Sequence, residues 1–347
     1  MEMKPIERMN AIRAGEKADR WPWVPSIYEH GALLLGRSPG EVSRDAGLMA
    51  DAATASYRTY RHDMVTVGID IYNIEAEAFG CALSSGEGKS IPGVTNHPLA
   101  ADETLDFSRL TIPQPGPDNR LGLIADAVER VVDEIASEVW IYACMGGPFS
   151  QAVELRSFDL LIADMYDAPA RVHALLERTT ELAIQQSRRL AEKGASVNLY
   201  ESWATMPLIS PPLFSEYVVP YNQRVIAALR DNYDIPPPAV IMGGDMTLLI
   251  DFFIAANSGW IAPDYLTDFE MIRAKTSDQP TIIRGNVDPK MIERGDWEEL
   301  ETAVNTLAAK AAGMVRFVWG CGCVSLDTPP DSLLRFKQMA LAADRSG

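Results

Sequence analysis

Short, almost continuously apolar runs alternate along this chain with longer stretches in which apolar residues recur every three or four positions. Eight of the short runs read as strands, at 23–29, 64–71, 139–144, 196–201, 239–243, 259–262, 281–286 and 314–320. Continuous rather than alternating apolar character marks parallel strands covered on both faces. Helices are predicted between them. One spans 39–62, with Ser38 as N-cap and Pro39 at its first position. Others span 120–135, 212–230, 297–312 and 331–343, and Asp167 opens a long helix running to Lys193 and closed by Gly194. Repeated strand–helix alternation predicts a single (β/α)8 barrel of the TIM type over residues 1–347, with an N-terminal helical extension. The stretch 82–109, rich in Gly, Ser, Pro and Asp, reads as a long insertion after strand two, placed to act as a lid. Neither GxGxxG nor GxxxxGK[ST] occurs, which argues against dinucleotide and P-loop folds.

Composition narrows the function. The 347 residues carry 31 basic and 48 acidic side chains, a formal net charge of −17, with no basic cluster to offset it. Such a surface repels phosphate backbones and anionic membranes. No apolar run approaches the roughly 20 residues of a membrane span, and residues 1–20 lack the apolar core of a signal peptide. A cytoplasmic protein is expected. Cys81, Cys144, Cys321 and Cys323 are too few for a disulfide scaffold.

In a (β/α)8 barrel the residues just after the strands converge on one mouth. Here every strand end supplies chemistry: Tyr28, Glu29 and His30 after the first, and Asp70, Asn73, Glu75 and Glu77 after the second. Cys144 ends the third, Tyr200 and Glu201 the fourth, and Asp245, Asp264, then Asn286 and Asp288 follow the next three. Cys321 and Cys323 close the eighth. Single acids at such places serve as helix caps, and Asp288 before Pro289 reads most simply as one. A full circle of polar ends predicts a site for a metal, a cation or a polar substrate. His30 suits metal ligation or proton transfer. Cys321 and Cys323, two apart in an extended segment, are expected to face the same way. A zinc site needs about four N, O or S ligands; Cys321, His30 and Glu77 are the candidate set. The simpler reading of the two cysteines is tight packing of the last strand.

Several segments resemble the uroporphyrinogen decarboxylase superfamily. Met206-Pro207-Leu208-Ile209-Ser210-Pro211, continuing through Phe214 to Val219-Pro220-Tyr221, is similar to the family's "LISP…F…vlPy" stretch. Arg284-Gly285-Asn286-Val287-Asp288-Pro289 resembles its "GNvDP" turn. Gly320-Cys321-Gly322 with Asp327-Thr328-Pro329-Pro330 resembles its closing "GCg…dTPpeNl" segment, and Arg8 to Arg13 its opening helix. The resemblance covers nearly the whole chain. It implies a barrel enzyme and one of two chemistries. The decarboxylases of the family bind a tetrapyrrole polycarboxylate through an arginine-rich segment after strand one. Here that segment is Ser26-Ile27-Tyr28-Glu29-His30-Gly31, and Glu29 reverses the electrostatics. The other branch, corrinoid-linked methyltransferases, moves methyl groups to or from a cobalamin protein. Its thiol-activating members bind zinc through a His-x-Cys pair after strand five and a Cys after strand eight. Cys321 matches the last, but the fifth position reads Ile241-Met242-Gly243-Gly244-Asp245, so the pair is missing.

The expected function is therefore methyl transfer or demethylation between a small methylated substrate and a corrinoid-binding partner protein. Zinc is a candidate cofactor, cobalamin arrives on the partner, and the resemblance implies a homodimer. His30, Glu75, Glu77, Glu201 and Asp245 are the candidate catalytic residues. Tyr28, Glu29, Asn73, Tyr200, Trp203 and Asn286 are the candidate substrate contacts, with Tyr28, Tyr200 and Trp203 able to face a methylated onium group. A lyase acting on another carboxylate without cobalamin, or a non-catalytic binding protein, are the alternatives.

Overall fold

The structure, a computed structural model, describes residues 2–70, 72–101, 106–116 and 119–344. Ile71, the last residue of the predicted second strand, and 102–105 of the predicted insertion lie outside the described residues. Among the described residues seven parallel strands form two sheets. β1 (Met64–Val67), β2 (Trp140–Gly146), β3 (Ser196–Tyr200) and β4 (Ala239–Ile241) make one, in that order. β5 (Trp260–Ile261), β6 (Ile282–Val287) and β7 (Phe317–Cys321) make the other. The sheets meet where Gly259 N donates to Pro238 O and Ser258 Oγ accepts from Val240 N.

The first predicted strand, 23–29, is not a regular strand. It forms isolated parallel bridges, Trp23 with Trp319 and Ser26 with Cys323, while Asp63 N donates to Trp23 O next to β1. Pro22 and Pro25 leave it without the N–H groups a continuous ladder needs. Glu29 then turns into a short helix, His30–Leu34.

Side-chain alternation divides the apolar residues into two cores. Val24, Tyr142, Cys144, Tyr200, Trp260 and Val318 pack together on the inner face of the strands, against Met9 and Ile12 of the helix Pro5–Ala14. Their strand neighbours, such as Ile141, Met145, Leu199, Ile283 and Trp319, pack outward against the helices. This two-sided burial explains the unbroken apolar runs.

The helical pattern is realised with two breaks. The stretch 39–62 divides into Pro39–Ser43 and Ala46–Tyr60, because Asp45 caps the second helix by accepting from Leu48 N at 2.9 Å. Likewise 212–230 divides into Pro211–Tyr217 and Val219–Arg230, the second carrying Pro220 in its first turn. Helices Arg120–Ile135, Pro169–Glu192, Trp297–Ala311 and Pro330–Asp344 agree with expectation to within two residues. Among the described residues no helix is long and apolar enough to cross a membrane.

Candidate active site at the strand C-termini

The inner residues at the ends of β2 and β3 meet the segment before helix His30–Leu34. Tyr200 Oη donates to Tyr28 Oη at 2.6 Å, and the two rings stand edge to face 5.7 Å apart. Cys144 lies beside them, and burial raises its pKa far above the ordinary thiol range. Tyr72, held at φ 74°, donates to Ser202 Oγ and continues this aromatic wall.

Glu29 and Cys323 form the second part. The thiol Sγ lies 3.6 and 3.7 Å from the two carboxylate oxygens. Burial raises the Glu29 pKa, its backbone and the Cys323 hydrogen bond opposing, and among the described residues no Lys or Arg pairs with it. Cys323 touches solvent yet is recessed among protein atoms, and desolvation, followed by the Glu29 charge, pushes its thiol well up. Both shifts run toward the protonated form.

The acids after β1 divide by partner. Arg120 binds Asp70 through Nη2, binds Glu77 Oε2 through Nη1 at 3.2 Å and donates from Nε to Ser43 O. Arg44 holds the other Glu77 oxygen at 3.2 Å. Asn73 Nδ2 bridges Asp70 and Pro92 O, which ties the 82–101 stretch to this cluster. Lys89 pairs with Asp327 and ties the same stretch to the loop after β7. Glu75, by contrast, is buried without an ion pair among the described residues, and desolvation lifts its pKa to about 8.

Several expected site residues are committed elsewhere. His30, on the short helix, uses Nε2 on Tyr60 Oη at 2.7 Å and Nδ1 on Ser325 O at 3.0 Å. Both ring nitrogens are occupied, so His30 has none left for a metal. Glu201 is fully buried and accepts from Phe149 N, Ser150 N and Asn222 Nδ2 at 3.2, 2.8 and 2.8 Å. It serves the N-terminus of helix Pro148–Arg156, where unpaired N–H groups favour a carboxylate. Asp245 closes a turn by accepting from Thr247 N and Oγ1 at 2.9 and 2.5 Å. Trp203 stacks on Phe158 and donates to Glu154 Oε1 at 2.7 Å. Asn286 donates to Pro263 O, leaving its buried Oδ1 without a partner.

Cys321 and Cys323 do not face the same way. Cys321, the last residue of β7, packs in the outer core with Trp319, whereas Cys323 follows the strand and reaches Glu29. Strand alternation does not extend past Cys321. With His30 bonded at both nitrogens, Glu77 between two guanidinium groups and Cys321 in the outer core, the expected zinc set is not assembled. Among the described residues no group of three or more His, Cys, Asp or Glu side chains could hold a metal ion. The residues do not fit that cofactor.

A further inner-face polar group is Arg284 on β6, 5% exposed, whose Nη1 donates to Ser26 Oγ at 2.7 Å. A cation inside an otherwise apolar strand was the available signal for it; Tyr72 carried no such signal.

The chain matches the uroporphyrinogen decarboxylase (URO-D) family over residues 4–341. It is 27% identical over 346 residues to the methylcobamide:CoM methyltransferase MtbA of Methanosarcina mazei, covering 98% of both chains. The corresponding protein of Methanosarcina acetivorans is 26% identical, with 98% of this chain and 95% of that one covered. A uroporphyrinogen decarboxylase of Colwellia psychrerythraea is 22% identical over 72% of this chain and 70% of its own. Among solved structures, a methyltransferase from Methanosarcina mazei superposes with a TM-score of 0.82 over 99% of each chain at 18% identity, which shows the fold alone. The chain therefore belongs to the uroporphyrinogen decarboxylase family of enzymes, nearer in sequence to these two methyltransferases than to this decarboxylase.

Proposed function

We propose that this enzyme moves a methyl group between a small methylated substrate and a corrinoid carried by a separate protein. Its two sheets and the bridged 22–26 segment make one (β/α)8 barrel, with the site at the mouth. The observation that carries this reading is the pair Glu29–Cys323 beside the Tyr28–Tyr200 pair, in a chain that matches MtbA from end to end. Residues 26–31, which follow the first strand segment, hold no arginine and carry Glu29, so an acid stands where the decarboxylases have their polyanion-binding device. Loops after β3, β4 and β5 expose Leu208, Leu248, Tyr265 and Leu266, an apolar rim suited to the face of a large macrocycle.

The corrinoid supplies the nucleophile that takes the methyl group, or the donor that returns it. Everything else falls to the chain's own residues. When a methyl group leaves a neutral ether or thioether, the departing oxygen or sulfur must gain a proton, whereas an onium substrate leaves as a neutral amine or thioether and needs none. Glu29, whose carboxyl burial shifts toward the protonated form, gives its proton to that oxygen or sulfur and is left as carboxylate. In the reverse direction the same carboxylate takes the proton from an acceptor thiol or alcohol. Cys323 hydrogen-bonds the carboxyl and keeps it aimed. Tyr28, Tyr200 and Tyr72 exclude water and place the methyl-bearing atom. Asn73 and Glu77 position the neighbouring segment through Asp70 and Arg120.

The test is anaerobic incubation of the purified enzyme with free reduced cobalamin and a panel of methylated ethers, amines and thioethers, followed by the absorbance change of methylation. Turnover with at least one class, lost in Glu29→Gln, is expected. Release of carbon dioxide from a carboxylate substrate without any corrinoid would replace this reading with the lyase.

A further inference from the structure

The end of the barrel opposite the site carries a cavity of about 230 Å³. It lies at the N-terminal ends of β4, β5 and β6, where the segments 235–238, 257–259 and 279–282 meet the last turns of helices Pro5–Ala14 and Val219–Arg230. Arg13 comes from the first of these helices and Arg230 from the second. The lining holds both guanidinium groups and neither a carboxylate nor an aromatic ring. In a chain with 48 acidic and 31 basic side chains, two cations on one cavity without an acid among the lining residues run against the composition. Among the described residues neither arginine is in an ion pair, and Arg13 Nη1 donates to a carbonyl, Ile235 O, at 3.1 Å. The other carbonyls of the wall are spent as well. Pro237 O accepts from Tyr142 Oη at 2.8 Å, Pro238 O from Gly259 N at 2.9 Å and Gly259 O from Ile282 N at 3.1 Å. The wall is rigid: Pro236, Pro237 and Pro238 run in succession, and a Cβ on Gly259 would stand 2.4 Å from Pro237 Cβ. The side-chain amides of Asn257 and Gln279, which also face the cavity, make no hydrogen bond among the described residues. The cavity therefore offers positive charge and free donors, with its acceptors used up. A basic residue in the last turn of a helix also complements the helix dipole. That role requires neither convergence on one cavity nor a lining free of acids.

We infer that this cavity is a second binding site, taking a phosphate group, either free or carried by a small aliphatic molecule. Two planar guanidinium groups suit a doubly charged oxyanion. Ile226, Ile235 and Ile254 beside them suit a short carbon chain, and the lining has no ring on which a nucleobase could stack. Because Arg13 and Arg230 stand on different helices, the occupant ties the opening helix to the floor of the barrel. The site lies away from the reacting groups and stands or falls independently of the methyl-transfer reading.

The experiment is thermal unfolding at constant ionic strength, titrated with inorganic phosphate, glycerol 3-phosphate and neutral glycerol. It compares wild type with Arg13→Gln, Arg230→Gln and a charge control, Arg294→Gln, which removes an exposed guanidinium after β6. A ligand that binds only the native state raises its melting temperature saturably. Wild type and Arg294→Gln should respond in this way to at least one of the two phosphates and not to glycerol. Arg13→Gln and Arg230→Gln should each bind that phosphate at least about tenfold more weakly. Tighter binding of glycerol 3-phosphate identifies a phosphorylated molecule as the occupant, and binding of inorganic phosphate alone identifies the free ion. Phosphate also stabilises proteins by exclusion from their surfaces. A rise that stays linear in concentration and is equal in all four proteins would have that cause and would overturn the site. An undiminished saturable response in Arg13→Gln and Arg230→Gln would overturn it too, leaving both arginines to their helix ends. Should either glutamine variant fail to fold, the corresponding lysine variant replaces it, and full phosphate affinity there, with the planar fork lost, counts against the site.

Discussion

Glu29 and Glu75 are two buried acids with different consequences. Among the described residues Glu29 has only Cys323 for a side-chain partner, and burial shifts it toward its neutral form. As the proton donor it should lose activity as pH rises through its raised pKa. The expected profile for demethylation is a kcat that falls on the alkaline side. Glu29→Gln should lower kcat by about 10²–10⁴-fold and remove that limb; an unchanged profile would show that another group supplies the proton. Glu75 has its effect on stability. Unfolded, its carboxyl loses the proton in the ordinary range, whereas folded it keeps it until about 8. Between those values the folded state binds more protons, so stability falls as pH rises, and the loss is complete above the folded value. Glu75→Gln should therefore stabilise the protein by on the order of 1–3 kcal/mol above that value, with the difference vanishing in acid. Melting temperatures of both proteins across pH measure this directly, and a pH-independent difference would contradict it.

At the scale of elements, two short helices depend on contacts that set the site's frame. Helix Pro148–Arg156 begins on Glu201, and the approach is so close that a Cβ on Gly147 would stand 2.3 Å from the Glu201 carboxyl carbon. Gly147→Ala must push strand and helix apart and should cost about 1–3 kcal/mol, read from the denaturant midpoint. Helix His30–Leu34 is pinned by the two His30 bonds to Tyr60 and Ser325. His30→Gln should lower stability by about 1–3 kcal/mol while methyl transfer per folded molecule stays within about twofold of wild type. A loss comparable to that of Glu29→Gln would return His30 to the chemistry.

At the scale of the whole molecule, one buried acid joins the opening segments to the first sheet. Asp63 is fully buried, binds Arg8 of the opening helix, accepts from Arg20 Nη1 at 2.9 Å and from Trp23 N at 2.7 Å. It thus ties the opening helix and the bridged segment to the start of β1. Asp63→Ala leaves Arg8, 1% exposed, with Asp19 as its remaining acid and Met3 O as its other acceptor. The expected cost is about 3–5 kcal/mol, the usual result of removing one partner from a buried ion pair. Equilibrium unfolding measures it, and a change under about 1 kcal/mol would place that junction on the apolar core instead.

Much of this was legible in the chain itself. Continuous apolar runs between amphipathic helices determined parallel strands, because a strand covered on both faces has no polar side. Strand order in sequence then determined that Tyr28, Glu29, Cys144 and Tyr200 lie toward one end, since parallel strands all finish there. What the tertiary structure decided is how each polar side chain is used. His30 and Ser325 are 295 residues apart, and Arg284 and Ser26 are 258 apart. No local pattern encodes such partners. Whether a carboxylate is a free acid like Glu29 or a bound anchor like Glu201 depends on desolvation and on donors brought by other strands, and both exist only once the chain is folded.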